Sequence, residues 1–277
     1  NSVTVGKGAN SVASNTVLGL NALDAAVTGE NNVAIGNVAM TDATSADDST
    51  AVGAGALNAL TTGDANTALG KSALLLNTTG ASNTALGKDA LRANTTASNN
   101  TAIGIDALTA NTTGHSNVAV GSQALDANTT ANHNTAIGLN ALGANTDGLA
   151  NTAVGSGALD ASNGDNNTAV GFSSLGANTT GSSNVALGYE ALAANTTADH
   201  NTAVGRSALT LNTTGNQNVA VGNFTLDANS TGIQNTAIGH QALSANTTAN
   251  ENTAVGAYSL EDNTTGSNNV AVGNTAL

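Results

Sequence analysis

Apolar and polar positions along this chain follow one short pattern, with small variations: Asn, then Thr or Val, then Ala, then an aliphatic residue, then Gly. The closing glycines run from Gly6 through Gly19, Gly36 and Gly53 to Gly273. Their spacings are 13, then eight of 17, then one of 16, then six of 17. A period this strict predicts a stack of near-identical coils rather than a globular core.

Columns emerge when residues are counted from each Gly. From Gly19 onward the fourth residue is Leu, as in Leu57, Leu74, Leu91, Leu108, Leu125, Leu142, Leu159, Leu175 and Leu192, with Met40 the one substitution. The residue before each Gly is Val, Ile or Leu, the third after it is usually Ala, and the sixth usually Ala or Leu. These columns are the predicted core. Positions one, two, five, eleven and twelve after Gly vary freely, as in Lys71, Arg92, His115, Tyr189 and Glu251, and are expected to face solvent.

The five-residue motif reads as a short strand in which Thr135 and Ile137 point one way and Ala136 the other. With the aliphatic residue inside, the small Ala would be left for a neighbouring chain to approach. Gly then permits a turn at positive φ. The Ala-Leu stretch that follows fits a helical turn or a second short strand. Asn-Thr-Thr-Gly, as at Asn111 to Gly114, is a turn signature, with Ala in the Gly place at Ala97, Ala131, Ala198 and Ala249.

The expected fold is therefore all-β: a parallel β-solenoid (β-roll) of about sixteen 17-residue coils, spanning 1–277 as one repeat array. Stacking at about 4.8 Å per coil would give a rod roughly 75–80 Å long. It would also align Asn66, Asn83, Asn100, Asn117, Asn134, Asn151, Asn167, Asn184, Asn201, Asn218, Asn235 and Asn252 into a structural ladder of side-chain amides. A second ladder would run through Asn77, Asn94, Asn111 and Asn128.

Composition narrows the function classes. Aromatic residues are 1% of the chain and charged residues 8%, with no Pro, Cys or Trp. The net charge of −13 with five Lys plus Arg leaves no basic stripe for nucleic acid. No apolar run approaches the ~20 residues of a membrane span, so no membrane insertion is expected of this segment. Each coil offers one Leu, one aliphatic residue and two Ala, a thin core against the cost of ordering a whole coil. Further burial between chains is therefore expected. The start at Asn1 and the end at Leu277, partway through a repeat, suggest a segment of a longer protein.

The opening residues Asn1-Ser2-Val3-Thr4-Val5-Gly6-Lys7-Gly8-Ala9-Asn10-Ser11-Val12-Ala13, and again Asn32-Val33-Ala34-Ile35-Gly36, resemble the SVAIG-x-x-A-x-A repeat of trimeric autotransporter adhesin heads of the YadA type. Phage and bacterial tail-fibre-like proteins carry Asn-Thr-Ala-Ile-Gly arrays similar to the coil of this chain. The resemblance implies a left-handed roll, a homotrimer, and an extracellular place on a cell surface or virion fibre. The period departs, at 17 against about 14 in the adhesin heads, and no neck, stalk or anchor is expected within this segment.

Chemistry-bearing residues are sparse. His115, His133, His200 and His240 stand at variable positions. Asp42, Asp47 and Asp48 form the one local carboxylate group, a candidate for calcium. No phosphate loop or Ser-His-Asp grouping stands out, so neither an enzyme nor a cofactor is expected. Thr pairs such as Thr78-Thr79, Thr95-Thr96 and Thr112-Thr113 form two columns that suggest an alternative, a binder of ice or another ordered surface. Asn-x-Ser/Thr sequons recur with the repeat at Asn77, Asn94, Asn111, Asn128, Asn178, Asn195, Asn212, Asn229, Asn246 and Asn263. The leading expectation is an adhesive fibre segment whose partners are its own copies, as trimer or filament, and a surface receptor or carbohydrate.

Overall fold

The structure is a computed structural model that describes residues 5–8 and 11–277. It is an all-β parallel solenoid with coils of about 17 residues and no helix among the described residues. Residues 1–4, Ala9 and Asn10, on which part of the adhesin resemblance rests, lie outside the described residues.

The chain divides into two compact units, 1–136 and 137–277. In the first, β1 (Val5–Gly6) is followed by β2 (Thr16–Leu18), β3 (Val33–Ile35), β4 (Thr50–Val52), β5 (Thr67–Leu69), β6 (Thr84–Leu86), β7 (Thr101–Ile103) and β8 (Val118–Val120). The strand β9 (Thr135–Ile137) falls at the division. The second unit holds β10 (Thr152–Val154), β11 (Thr168–Val170), β12 (Val185–Leu187), β13 (Thr202–Val204), β14 (Val219–Val221), β15 (Thr236–Ile238), β16 (Thr253–Val255) and β17 (Val270–Val272). From β2 to β8, and from β10 to β17, each strand pairs parallel with the next, like residue on like residue.

The first motif is an exception. Only 13 residues separate Gly6 from Gly19, too few for a full coil. The strand β1 accordingly runs antiparallel to β2, with Val5 opposite Leu18 and Gly6 opposite Val17. Val5 and Gly6 thus cover the first edge of the sheet and do not start a further parallel rung.

Between strands the backbone stays bonded from coil to coil. Leu108 N–H donates to Ala124 O at 3.0 Å, Thr112 N–H to Thr129 O at 2.9 Å, and Gly121 N–H to Ile103 O at 2.7 Å. The Ala-Leu stretch is neither helix nor strand. Its second and fourth residues after Gly lie in the left-handed region, Asp106 at φ 58 and Leu108 at φ 51, as does Ser116 at φ 58 just before the next Asn. Each such residue costs on the order of 1 kcal/mol. The inter-coil hydrogen bonds on either side offset that strain and hold the turns.

The Leu column is fully buried from Leu23 to Leu243, and so, wherever it occurs from Ala39 to Ala242, is the Ala three residues after Gly. The strand, however, faces the opposite way from the sequence expectation. Its Ala points inward: Ala34, Ala68, Ala102 and Ala186 are all at 0% exposure. The aliphatic residue before Gly points outward, with Leu69 at 45%, Leu86 at 41% and Leu187 at 46%. The space between strand and turn is narrow, and two Ala columns with one Leu fill it. The sixth-position column is not core either, since Leu76 is 44% exposed and Leu211 56%.

The single-residue deletion falls in a turn, where Ser162-Asn163-Gly164 replaces Asn-Thr-Thr-Gly. Ser162 Oγ takes the missing amide's place, accepting from Gly164 N–H at 3.2 Å and Asn178 Nδ2 at 3.1 Å.

Asp160 and Asp227 share the fifth position after Gly, and burial pushes both carboxyls above the usual range. Asp227 Oδ1 is buried without a hydrogen-bond partner. A carboxyl whose folded pKa is raised costs stability as pH rises through that value, and costs none below the unfolded one. Asp227→Asn is therefore expected to melt higher than the parent near pH 7, with the difference gone near pH 3, below the usual carboxyl range. Paired thermal melts at the two pH values check this, and equal melting near neutrality would refute it.

Candidate functional site

The strand's alternation builds the most extensive exposed feature of each unit. With Ala inward, the Thr or Val before it and the Val, Ile or Leu after it project outward on every rung. In the first unit this gives rungs such as Thr67 with Leu69 and Thr101 with Ile103. In the second it gives Thr152 with Val154, Val185 with Leu187, and Thr236 with Ile238. Val185 is 39% exposed and Ile238 41%, and on the last rung Val270 and Val272 reach 73% and 70%. Monomeric soluble proteins rarely leave contiguous apolar patches larger than a few hundred Å².

The polar columns are turned inward and are committed to the fold. All twelve residues of the first ladder, Asn66 to Asn252, are at 0% exposure. Asn184 shows the full bonding pattern. Its N–H donates to Asn167 Oδ1 at 2.9 Å, its Nδ2 donates to Ala198 O at 2.8 Å, and its Oδ1 accepts from Asn201 N–H at 2.9 Å. Its Nδ2 also donates back to Asn167 Oδ1 at 3.2 Å, so the amide bonds to the coil on either side as the sequence suggested, with the bond to Ala198 O in addition. The second ladder also runs from coil to coil: Asn94 Nδ2 donates back to Asn77 Oδ1 at 2.8 Å, and Asn111 Nδ2 to Asn94 Oδ1 at 3.0 Å. Ser49 stands in the first ladder and still accepts from Asn66 N–H at 3.1 Å.

These ladders decide two of the sequence candidates. Nine of these ten sequon asparagines are buried with their amides in the stack, and Asn263, on the terminal coil, is half-buried, whereas further sequons at Asn99, Asn166 and Asn223 stand at exposed positions. In the Thr pairs the first hydroxyl is occupied, as Thr78 Oγ1 donates to Thr95 O at 3.0 Å and Thr112 Oγ1 to Thr129 O at 3.0 Å. That leaves one free Thr column there, not two.

The titratable residues do not converge. Asp47 Oδ1 accepts from Glu30 N–H at 2.7 Å and Asp48 Oδ1 from Asn31 Nδ2 at 3.1 Å, so both carboxylates serve as turn acceptors. His115 and His133 meet edge to face at 5.2 Å. Among the described residues no three of His, Cys, Asp or Glu gather as metal ligands. An open groove of about 400 Å³ is lined by Lys71, Lys88, Asp89, Arg92 and Asp106. Its exposed pairs, Lys88 with Asp89 at 3.0 Å and Arg92 with Asp89 at 3.6 Å, are ordinary surface ion pairs. Among the described residues no helix is long and apolar enough to cross a membrane. Compared with protein-family models and with curated proteins, the chain matches none.

Proposed function

We propose that this chain is a non-catalytic, extracellular fibre segment that assembles with copies of itself through its strand face and serves adhesion. The observation that carries the reading is the outward aliphatic column beside the Thr/Val column, repeated rung after rung. A chain whose interior is mostly Ala, one Leu per coil and hydrogen-bonded Asn gains from covering that second apolar surface. The resemblance to adhesin heads supports three copies, and the same resemblance supports the extracellular setting.

Absolute mass by light scattering, with circular dichroism on the same sample, tests it. The expected result is a β-rich species at three times the 26.6 kDa chain mass. Val204 and Val221 are partners on adjacent rungs of the outward column. Val204→Lys with Val221→Glu should lower the mass while leaving the β signal unchanged, because neither side chain fills the coil. A folded parent at single-chain mass would refute assembly. A second reading would then gain ground, since Thr alternating with aliphatic residues on one exposed β face also suits an ice-binding surface. Thermal hysteresis of that monomer would test this second reading.

A further inference from the structure

The two Phe and two Tyr are the only aromatic residues of Phe, Tyr or Trp type in the chain, and all four lie in the second unit. They stand one or two residues after the Gly of their coils, at the corner next to the strand face. Phe172 and Tyr189 are stacked, with centroids 5.5 Å apart and 14° between planes. Phe224 meets His240 at 6.3 Å, and His240 meets Tyr258 at 5.4 Å, both edge to face. Arg206 lies between, its guanidinium carbon 5.7 Å from the Tyr189 centroid and 5.4 Å from that of Phe224. Six successive coils thus form one column of rings around a single cation. Phe172 is 51% exposed, Tyr189 46% and Tyr258 36%.

Arg206 is the only Lys or Arg in residues 137–277. Among the described residues its guanidinium makes no ion pair, and the nearby Glu190 carboxylate acts on the Tyr189 phenol, raising its pKa. A guanidinium held between two rings is oriented in advance, and its forked N–H groups match a carboxylate in a bidentate way. Apolar edges and faces of exposed rings beside it suit the C–H surface of a sugar, and the neighbouring side chains of Asn223, whose Oδ1 accepts from the Arg206 backbone N–H at 3.0 Å, and His240 offer polar partners for hydroxyls. A net charge of −13 opposes a densely charged polyanion, whereas one isolated acid group meets one isolated cation.

From this column we infer a binding site for acidic saccharides: the sugar's carboxylate on Arg206 and its apolar face along Tyr189, Phe172 and Phe224. The inference rests on the adhesive part of the reading above and names the receptor chemistry.

The test titrates the intact chain with sialyllactose and trigalacturonate, with lactose as the neutral control and heparin as the polyanion. Tyrosine fluorescence reports contact at the column, and light scattering is run on the same samples. Both acidic sugars, or either one, should bind in preference to lactose. Arg206→Gln should weaken that binding at least tenfold, Arg206→Lys less, and Tyr189→Ala should reduce it without altering circular dichroism. The assignment is overturned if neither acidic sugar binds, if lactose or heparin binds as well as they do, or if Arg206→Gln leaves affinity unchanged. A trimer that ignores acidic sugars removes this inference and leaves the fibre reading standing, and a monomer that binds them does the reverse.

Discussion

Gly104→Ala is expected to break the stack at its rung and cost more than about 4 kcal/mol, among the largest effects of any single methyl group in this chain. Two independent causes add. Gly104 sits at φ 140, a region that side chains of L residues rarely adopt. A Cβ built there would also stand 2.3 Å from Gly121 O and 2.6 Å from Gly121 C. Those atoms belong to the next coil's backbone, which is itself tied by Gly121 N–H to Ile103 O, so it cannot move aside without losing a rung. In a stack where each coil contacts its neighbours, an interior defect uncouples the coils on either side. Amide exchange should show loss of protection centred on the coils of Gly104 and Gly121. Gly55→Asn is the contrast: its column holds Ser72, Asp89 and Asp106 at φ 57 or 58, and the nearest atom to a new Cβ is the flexible Leu75 Cδ1 at 3.3 Å. That change should stay within about 0.5 kcal/mol. Equal costs at the two positions would refute the backbone-contact account.

The glycine spacing made the period, the coil length and the parallel stacking legible, because a strict repeat leaves few other ways to bury a periodic face. The Leu column was legible for the same reason. The strand's facing was misjudged by weighing hydrophobicity above geometry, since Ile137 is a better core residue than Ala136 only where there is room for it. The deciding signal was already present. Asn134 and Ala136 are two residues apart and must share a face, so an Asn ladder buried for its hydrogen bonds carries Ala inward and sends Thr135 and Ile137 out. The left-handed Leu residues were not legible, because no propensity favours Leu at φ near 50; inter-coil hydrogen bonds impose it. The aromatic column was hidden by reading each coil separately. Tyr189 and Arg206 look like free solvent positions until Phe172, Phe224, His240 and Tyr258 are stacked beside them.

Asn184→Asp should be the most damaging near-isosteric change in the polar interior, and its cost should depend on pH. The substitution exchanges the Nδ2 donor for an oxygen, which then faces Ala198 O across the 2.8 Å that the amide now bridges. Two acceptors without a proton between them, in a site at 0% exposure, cost about 3 kcal/mol or more when the acid is ionised. Burial and the opposed carbonyl both raise the folded pKa of the new acid above its unfolded value near 3.9. By linkage, stability is retained below the unfolded pKa, where the protonated acid can donate to Ala198 O, and is lost as pH rises through the raised folded value. The variant should therefore approach the parent near pH 3 and fall well below it near pH 7 in denaturant titrations. Asn184→Ser should cost less at neutral pH and show no such slope. Ser49 and Ser162 already occupy ladder positions and keep a hydroxyl oxygen in reach of the next coil, at 3.1 Å in both cases. If the Asp variant proves as stable near neutrality as in acid, the amide's donor is dispensable. The buried Asn column would then be held by its Oδ1 rungs alone.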